Sequence, residues 1–264
     1  MKRVAEVMGV SRSELYQERR TRTQQDRPGD AEVLKLIRAV VKEKPTFGYR
    51  RVTAMLRQRG LIINHKRIYR LMSRNQLLLR RYASKPERPH EGKVITLKSN
   101  LRWCSDMFEI RCWSGERVYV AFSLDCCDRE AISWLAADRH LDGADVRDLM
   151  AQSVERRFSS THVPHPLEWL SDNGPPYTAH ETRHFGHGCG FVVCTTPSYS
   201  PESNGMAEAF VKTFKRDFVY LGDVSSAEAV MKQLPRWFEE YNETHPHKGL
   251  NMLSPRQFRR LQSA

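Results

Sequence analysis

The order of apolar segments after residue 100 constrains the fold more than any other feature. Strand-like segments are predicted at 102–110, 115–130, 131–138, 166–174 and 191–196. Helical segments are predicted at 142–158, 178–190, 200–221 and 225–245, with Pro235 expected to break or kink the last. Strands interleaved with helices in this way predict a mixed α/β domain over 101–264.

A compact basic segment precedes this α/β region. Residues 31–100 carry 18 Lys and Arg against 4 Asp and Glu, whereas residues 101–264 carry 18 against 22. Concentrated positive charge is typical of a surface that binds nucleic acid phosphates. We therefore expect two domains with different tasks, although a basic surface that only keeps the chain soluble is the alternative.

Three helices are predicted within the basic segment. Apolar residues recur at helical spacing over 31–43, where Pro45 ends the helix, and a second helix closes at Gly60. Asn64 is placed to cap the third helix. The sequence predicts a helix-turn-helix domain over 31–82 that binds double-stranded DNA, unless its cationic stripe is merely a solvated helix face. The candidate DNA contacts are Lys66, Arg67, Arg70, Arg74, Arg50 and Arg51.

The remaining segments are short. Residues 1–20 resemble part of a helix-turn-helix, and 21–30 and 83–100 are predicted linkers. No stretch has the length of a membrane span or the apolar core of a signal peptide, so we expect a cytoplasmic protein. The six cysteines form no C-x-x-C pair and are expected to be reduced thiols.

Three acids stand in unusual places for carboxylates. Asp106 lies inside the first predicted strand, Asp172 ends the fourth before Asn-Gly-Pro-Pro, and Glu208 lies in a long helix. A buried acid is costly unless it is paired or binds a cation, and Mg²⁺ prefers carboxylate oxygens. Two ions held by such acids can promote phosphoryl transfer. Lys212 and Lys215 follow Glu208 along one helix edge and are candidate contacts for DNA phosphates.

Each acid also has an ordinary structural interpretation. Asp172 fits a turn-forming Asp, and Glu208 could form a surface ion pair with Lys212. Further acids near strands could compete for a metal ion, namely Asp125, Asp128 and Asp138. Residue types and spacing alone therefore leave the metal site open.

The segments RWCSD, WLSDNGPPY and SPESNGMAEAFVKTFKRDF together resemble the integrase core of bacterial insertion-sequence transposases. The likeness is to the IS3 family, and within it to the IS2-like subgroup. Asp172 and Glu208 fit the D-x(35)-E pattern that this family shares with retroviral integrases, and Lys215 matches the cation kept seven positions later. TFGYRRV and NHKRIYRLM resemble the family's helix-turn-helix. The closing segment matches at Tyr241, Asn242, Pro246, His247, Ser254, Pro255 and Phe258.

The resemblance implies an RNase H-like core with a mixed five-stranded sheet and a catalytic triad of Asp106, Asp172 and Glu208. It implies that the triad binds two Mg²⁺ ions, with Mn²⁺ as a substitute, and that the chain cleaves and transfers DNA strands. It also implies a second-reading-frame product, fused to an upstream helix-turn-helix and leucine-zipper protein. Such a chain is expected to act as a homo-oligomer on element ends and target DNA, in the nucleoid.

Other functions stay open at this point. A catalytically inactive regulator could bind element ends through residues 31–100 alone, and a ribonuclease could share the same fold. A zinc-stabilised DNA-binding protein would use His180, His184, His187 and Cys189. The chain also departs from the family pattern at Met107, Gly186, Gly188 and Gly190.

Overall fold

The computed structural model describes residues 27–80, 96–196 and 204–262. The helix-turn-helix fragment predicted at 1–20 lies outside these residues, as does most of the linker predicted at 83–100. Of the helices within the described residues, none has the length and apolar character needed to cross a membrane.

Three helices form an N-terminal unit, here called the helical unit. They are α1 (Asp30–Glu43), α2 (Tyr49–Gln58) and α3 (His65–Arg74). The predicted ends are confirmed, because the Asn64 side chain accepts a hydrogen bond from the backbone N–H of Lys66 and Gly60 has a φ of +82° after α2. The unit has its own apolar core, which includes Ile37, Val40, Val52, Leu56, Ile68 and Met72.

A five-stranded sheet forms the centre of the second unit. The strands are β1 (Arg102–Arg111), β2 (Arg117–Asp125), β3 (Ala131–Ala137), β4 (Leu167–Ser171) and β5 (Phe191–Thr195). Their spatial order is β3-β2-β1-β4-β5, with β2 antiparallel to both neighbours and with β1, β4 and β5 mutually parallel. This arrangement confirms the predicted mixed α/β fold and the RNase H-like sheet that the resemblance implied.

Helices cover both faces of the sheet. They are α4 (Gly143–Phe158), α5 (Pro175–Thr178), α6 (His180–Gly188), α7 (Gly205–Asp217), α8 (Ala227–Glu243) and α9 (Pro255–Gln262). Helices α7 and α8 bury an aromatic face against one side, with Phe210, Phe214 and Phe238 in the same cluster as Phe122 of β2. Helix α4 packs on the other side. Successive side chains of β1 point to opposite faces of the sheet, so they face α7 and α8 or α4 in turn.

Helix α8 runs unbroken through Pro235, so the expectation of a break there is wrong. Proline costs about 3 kcal/mol inside a helix because it lacks an N–H and clashes with the preceding turn. Leu234, Trp237 and Phe238 lie fully buried around it, and their burial offsets that cost. Further along, the Asn242 amide exchanges two 2.9 Å hydrogen bonds with the backbone of Ala131 and thereby fixes the start of β3.

Gly186 shows a structural reason for one departure of the sequence from the family pattern that it resembles. A Cβ at this position of α6 would meet Cγ2 of Val193 in β5 at 2.8 Å. The glycine therefore lets α6 lie close to the edge strand, which offsets its low helix propensity.

Candidate active site

Asp106 and Asp172 lie at the same level of two adjacent strands. Strands β1 and β4 are parallel, and their register pairs Cys104 with Leu170. Extended by two residues, this register sets Asp106 opposite Asp172, which directly follows β4. Adjacent strands lie about 4.8 Å apart. The fold thus makes neighbours of two carboxylates that are far apart in the sequence.

Glu208 reaches the same region from α7. Asp106 points to the face of β1 that carries Cys104 and Phe108, and α7 packs on this face, with the ring of Phe214 tilted against that of Phe108 at a centroid distance of 5.9 Å. Glu208 lies in the first turn of α7 with its side chain exposed. Two acids from the sheet and one from a helix therefore converge at one edge of the domain.

The electrostatics of Asp106 reflect this convergence. Burial raises the pKa of its carboxyl to about 6, a backbone hydrogen bond from Met107 opposes the rise, and the charges of Asp172 and Glu208 add to it. The Met107 N–H lies 2.7 Å from Oδ1 of Asp106. Among the described residues no Lys, Arg or His forms a salt bridge with Asp106. A partly buried carboxylate near two like charges is in an environment that a bound cation would relieve.

Tyr177 and Asn204, which were given no role from the sequence, form hydrogen bonds that connect the segments carrying the three acids. The hydroxyls of Tyr177 and Ser105 share a buried 2.8 Å hydrogen bond, which links the turn after Asp172 to the residue before Asp106. Asn204 precedes α7, and its side-chain N–H donates to the backbone carbonyl of Ser105 at 3.3 Å. Their positions next to the acids in WLSDNGPPY and SPESNG were the only available signal, since both bonds depend on the tertiary fold.

The donor set fits a hard divalent cation, because it consists of carboxylates. Asp172 also accepts a 3.0 Å hydrogen bond from the backbone N–H of Gly174, which confirms that it forms a turn as well. In the part of the chain that the structure describes, no three His, Cys, Asp or Glu side chains are gathered closely enough to form a finished metal site. The charges of Asp172 and Glu208 nevertheless act on the carboxyl of Asp106 and raise its pKa.

Two of the competing acids and one of the histidines contact other parts of the fold. Asp128 and Glu130 pair with the buried guanidinium of Arg157, and Asp125 lies 3.5 Å from it. The segment proposed for zinc forms no metal cluster within the described residues, and His187 instead makes a 3.2 Å contact with the backbone oxygen of Phe191. Asp125 and Asp128 therefore lie beside the guanidinium of Arg157.

The candidate DNA contacts fall into two groups. Arg67 and Arg70 both pair with the buried carboxylate of Asp30, at 2.8 and 2.5 Å, and Arg51 pairs with Asp217 at 3.1 Å. Those three side chains form ion pairs within the folded chain. The exposed cations of the set are Lys66, Arg74, Arg50 and Lys212.

Lys215 is the remaining candidate DNA contact, and its side chain is partly buried. Its ammonium sits 5.6 Å from the ring centroid of Phe108, on the same helix as Glu208. Burial lowers the pKa of Lys215 from its ordinary value, while the charge of Glu109 raises it. Lys215 is therefore a partly buried cation on the helix that carries Glu208.

The sheet order and the converging acids define the class of RNase H-like integrase cores. Family comparison agrees: an integrase core domain matches residues 97–201, a second integrase core domain matches 193–255, and an HTH-like domain matches 28–85. A chain in the cryo-EM structure of the simian T-cell lymphotropic virus intasome in complex with PP2A regulatory subunit B56 gamma has a similar fold. It superimposes with a TM-score of 0.54 and 15% identity over 80% of this chain and 70% of that one.

Curated relatives narrow the class to one family. The chain is 46% identical over 238 residues to the Escherichia coli transposase InsD for insertion element IS2A/D/F/H/I/K, which covers 88% of this chain and 79% of the relative. Its identity to InsD for IS2-9 from strain K12 is also 46%, over 78% of that protein. The chain belongs to this IS3-family group of transposases, and it is a transposase with an Asp-Asp-Glu (DDE) type integrase core that binds DNA.

Proposed function

We propose that the chain cuts and joins DNA strands at the ends of an insertion element, with Asp106, Asp172 and Glu208 as catalytic and metal-binding residues. The observation that carries this proposal is the register of β1 and β4, which sets two of the acids level while α7 brings the third to the same face. The inactive-regulator alternative has no comparable support, since a protein that only binds DNA has no need of converging acids.

The three acids would hold two Mg²⁺ ions, or Mn²⁺ in their place. When bound, the ions supply activation of an attacking oxygen and stabilisation of a leaving one in an in-line displacement. Asp106, which the strand register sets level with Asp172, would hold the ions together with Asp172 and Glu208.

The remaining residues would orient the DNA. Tyr177 and Asn204 hold the turn and the helix that carry Asp172 and Glu208. Lys212 is exposed one turn after Glu208, and Lys215 lies another turn along. Both can complement phosphates next to the scissile bond.

The helical unit would supply binding to the element end. Its exposed cations Lys66, Arg74 and Arg50 are the proposed phosphate contacts, within a predicted domain spanning 31–82. We also propose that the chain acts when fused to an upstream-frame helix-turn-helix and leucine-zipper protein, as an oligomer that joins two ends at the chromosome. Two ends must be held together before a strand of one can be joined to a target.

Cleavage of an end-containing duplex tests this function. Purified fusion protein is incubated with labelled element-end DNA and Mg²⁺, and nicked product is quantified for the wild type, Asp172→Asn and Asp138→Asn. Asp138 is an exposed acid just after β3 and serves as the matched control. We expect nicking by the wild type and the control, and loss of nicking in Asp172→Asn. Equal nicking by Asp172→Asn would contradict the assignment, and binding without any nicking would favour the inactive regulator.

A further inference from the structure

The helical unit is joined to the catalytic unit by a specific contact, here called the junction. Phe47, which is 2% exposed, packs edge to face against His245 at 5.3 Å. The Gln58 amide donates to the backbone carbonyl of Thr244 at 3.2 Å, and Lys44 pairs with Glu240. These contacts come from the loop between α1 and α2 and from the last residue of α2, and they meet α8 and the residues that follow it.

Asp217 is the centre of the junction. Its side chain is 1% exposed, and its carboxylate is contacted by Arg51 at 3.1 Å, Arg216 at 2.6 Å and His245 at 2.9 Å. Arg51 belongs to α2, so it is the partner that comes from the helical unit. A buried carboxylate is strongly destabilised when it loses a cationic partner, which makes this contact sensitive to the position of α2.

Asp217 also ends the helix that carries the catalytic glutamate. Helix α7 begins at Gly205, has Glu208 in its first turn and has Asp217 as its last residue. Nine residues of helix span about 13 Å. A helix of this length moves as one body, so a shift at Asp217 displaces Glu208 as well.

We propose that Arg51 is a positioning residue for Glu208, and that the helical unit, when it holds DNA, supports the active site through the ion pair between Arg51 and Asp217. This inference rests on the proposed role of Glu208 in metal binding. It gives the helical unit a second task beside DNA binding, because cleavage then depends on how α2 is seated against α7. An error of about 1 Å in a catalytic group can lower a rate about a hundredfold.

Arg51 was also a candidate DNA contact, and the two roles have different consequences. A phosphate contact would make Arg51→Ala bind DNA more weakly with a smaller salt dependence, and Asp217→Asn would leave binding and cleavage near wild type. A positioning role makes Arg51→Ala and Asp217→Asn alike, with DNA affinity retained and cleavage reduced. The ion pair itself is tested by the double variant, because two changes that break one interaction do not add.

The experiment measures end-DNA affinity by anisotropy and the cleavage rate at saturating DNA across a Mg²⁺ titration, in the full fusion protein. The variants are Arg51→Ala, Arg51→Lys, Asp217→Asn and the double Arg51→Ala/Asp217→Asn. Arg59→Ala is the matched control, because Arg59 pairs with Glu43 inside the helical unit. Thermal unfolding of each variant confirms that it is folded, and Arg51→Lys keeps the charge where the alanine variant fails to fold.

We expect DNA affinity within about threefold of wild type for all variants, and cleavage at least about tenfold slower in Arg51→Ala and Asp217→Asn. The Mg²⁺ concentration for half-maximal cleavage should rise in both, the double variant should match the single ones, and Arg51→Lys should recover part of the rate. Wild-type cleavage in Arg51→Ala, or weakened DNA binding in Arg51→Ala alone, overturns the inference. Absence of cleavage by the wild-type protein instead overturns the proposed function.

Discussion

The hydroxyl of Tyr177 lies 2.8 Å from the hydroxyl of Ser105, and this buried bond joins the turn after Asp172 to the strand of Asp106. Removing the hydroxyl should loosen the spacing of the two acids. We predict that Tyr177→Phe lowers stability by about 1 kcal/mol, the net value of a typical hydrogen bond. It should slow Mg²⁺-dependent cleavage about threefold to tenfold, because the acids lose part of their support.

Denaturant unfolding and single-turnover cleavage measure the two effects. Tyr220→Phe is the matched control, since Tyr220 is 72% exposed and lies outside the site. A Tyr177→Phe protein with the stability and rate of the control would show that the bond does not organise the site.

Neighbouring cations of α3 should behave differently when removed. Lys66 is exposed, so Lys66→Ala should weaken end-DNA binding and reduce the slope of log affinity against log salt by about 1. Arg67 pairs with buried Asp30, so Arg67→Ala should cost about 1–3 kcal/mol of stability through loss of a charged hydrogen bond. Titrations at several salt concentrations and urea unfolding separate the two outcomes. Identical salt slopes for Lys66→Ala and the wild type would remove Lys66 from the DNA-contact set.

Two buried histidines near the junction should make stability sensitive to acid. Burial holds the pKa of His245 well below its ordinary value and lowers that of His247 to about 3. Both are therefore neutral in the folded protein but take up protons in the unfolded chain below about pH 6.5. Their contribution to stability is complete above that pH and declines as the pH falls toward the folded pKa.

The effect of pH on stability is measured as the difference between the wild type and the His247→Gln variant. The raised pKa values of Asp106 and Asp125 act in the opposite direction, because these acids gain protons more readily when folded. Comparison with His247→Gln cancels that contribution. Between pH 7.5 and pH 5, the wild type should lose about 2 kcal/mol relative to His247→Gln, because the slope reaches its full value of about 1.36 kcal/mol per pH unit only below pH 6.5. Parallel stability curves for the two proteins would contradict this account.

Periodicity predicted the elements of the fold well. The five strands, the three N-terminal helices and the Asn64 cap follow from local apolar spacing and capping chemistry. The unbroken course of α8 through Pro235 did not, because the aromatic packing that holds it comes from distant residues. Rules based on local sequence predict the free-energy cost of Pro235 in a helix, but not the tertiary burial that offsets it.

The sequence pointed to the proposed acids, whereas it assigned several of the cations to DNA. Asp106, Asp172 and Glu208 each had an ordinary structural interpretation, and the resemblance to the family pattern singled them out together. Arg51, Arg67 and Arg70 looked like DNA contacts, yet they pair with Asp217 and Asp30. An arginine that meets a buried carboxylate from another element reads in sequence like any surface cation, since only the folded chain brings its partner to it.

The central claim is that Asp106, Asp172 and Glu208 form one divalent-cation site. Anomalous diffraction from crystals soaked in Mn²⁺ tests it most directly, with Asp106→Asn crystals as the comparison. We predict manganese peaks between the carboxylate of Asp106 and those of Asp172 and Glu208, and their loss in Asp106→Asn. Manganese bound elsewhere on the chain, or bound unchanged in the Asp106→Asn crystals, would contradict the account.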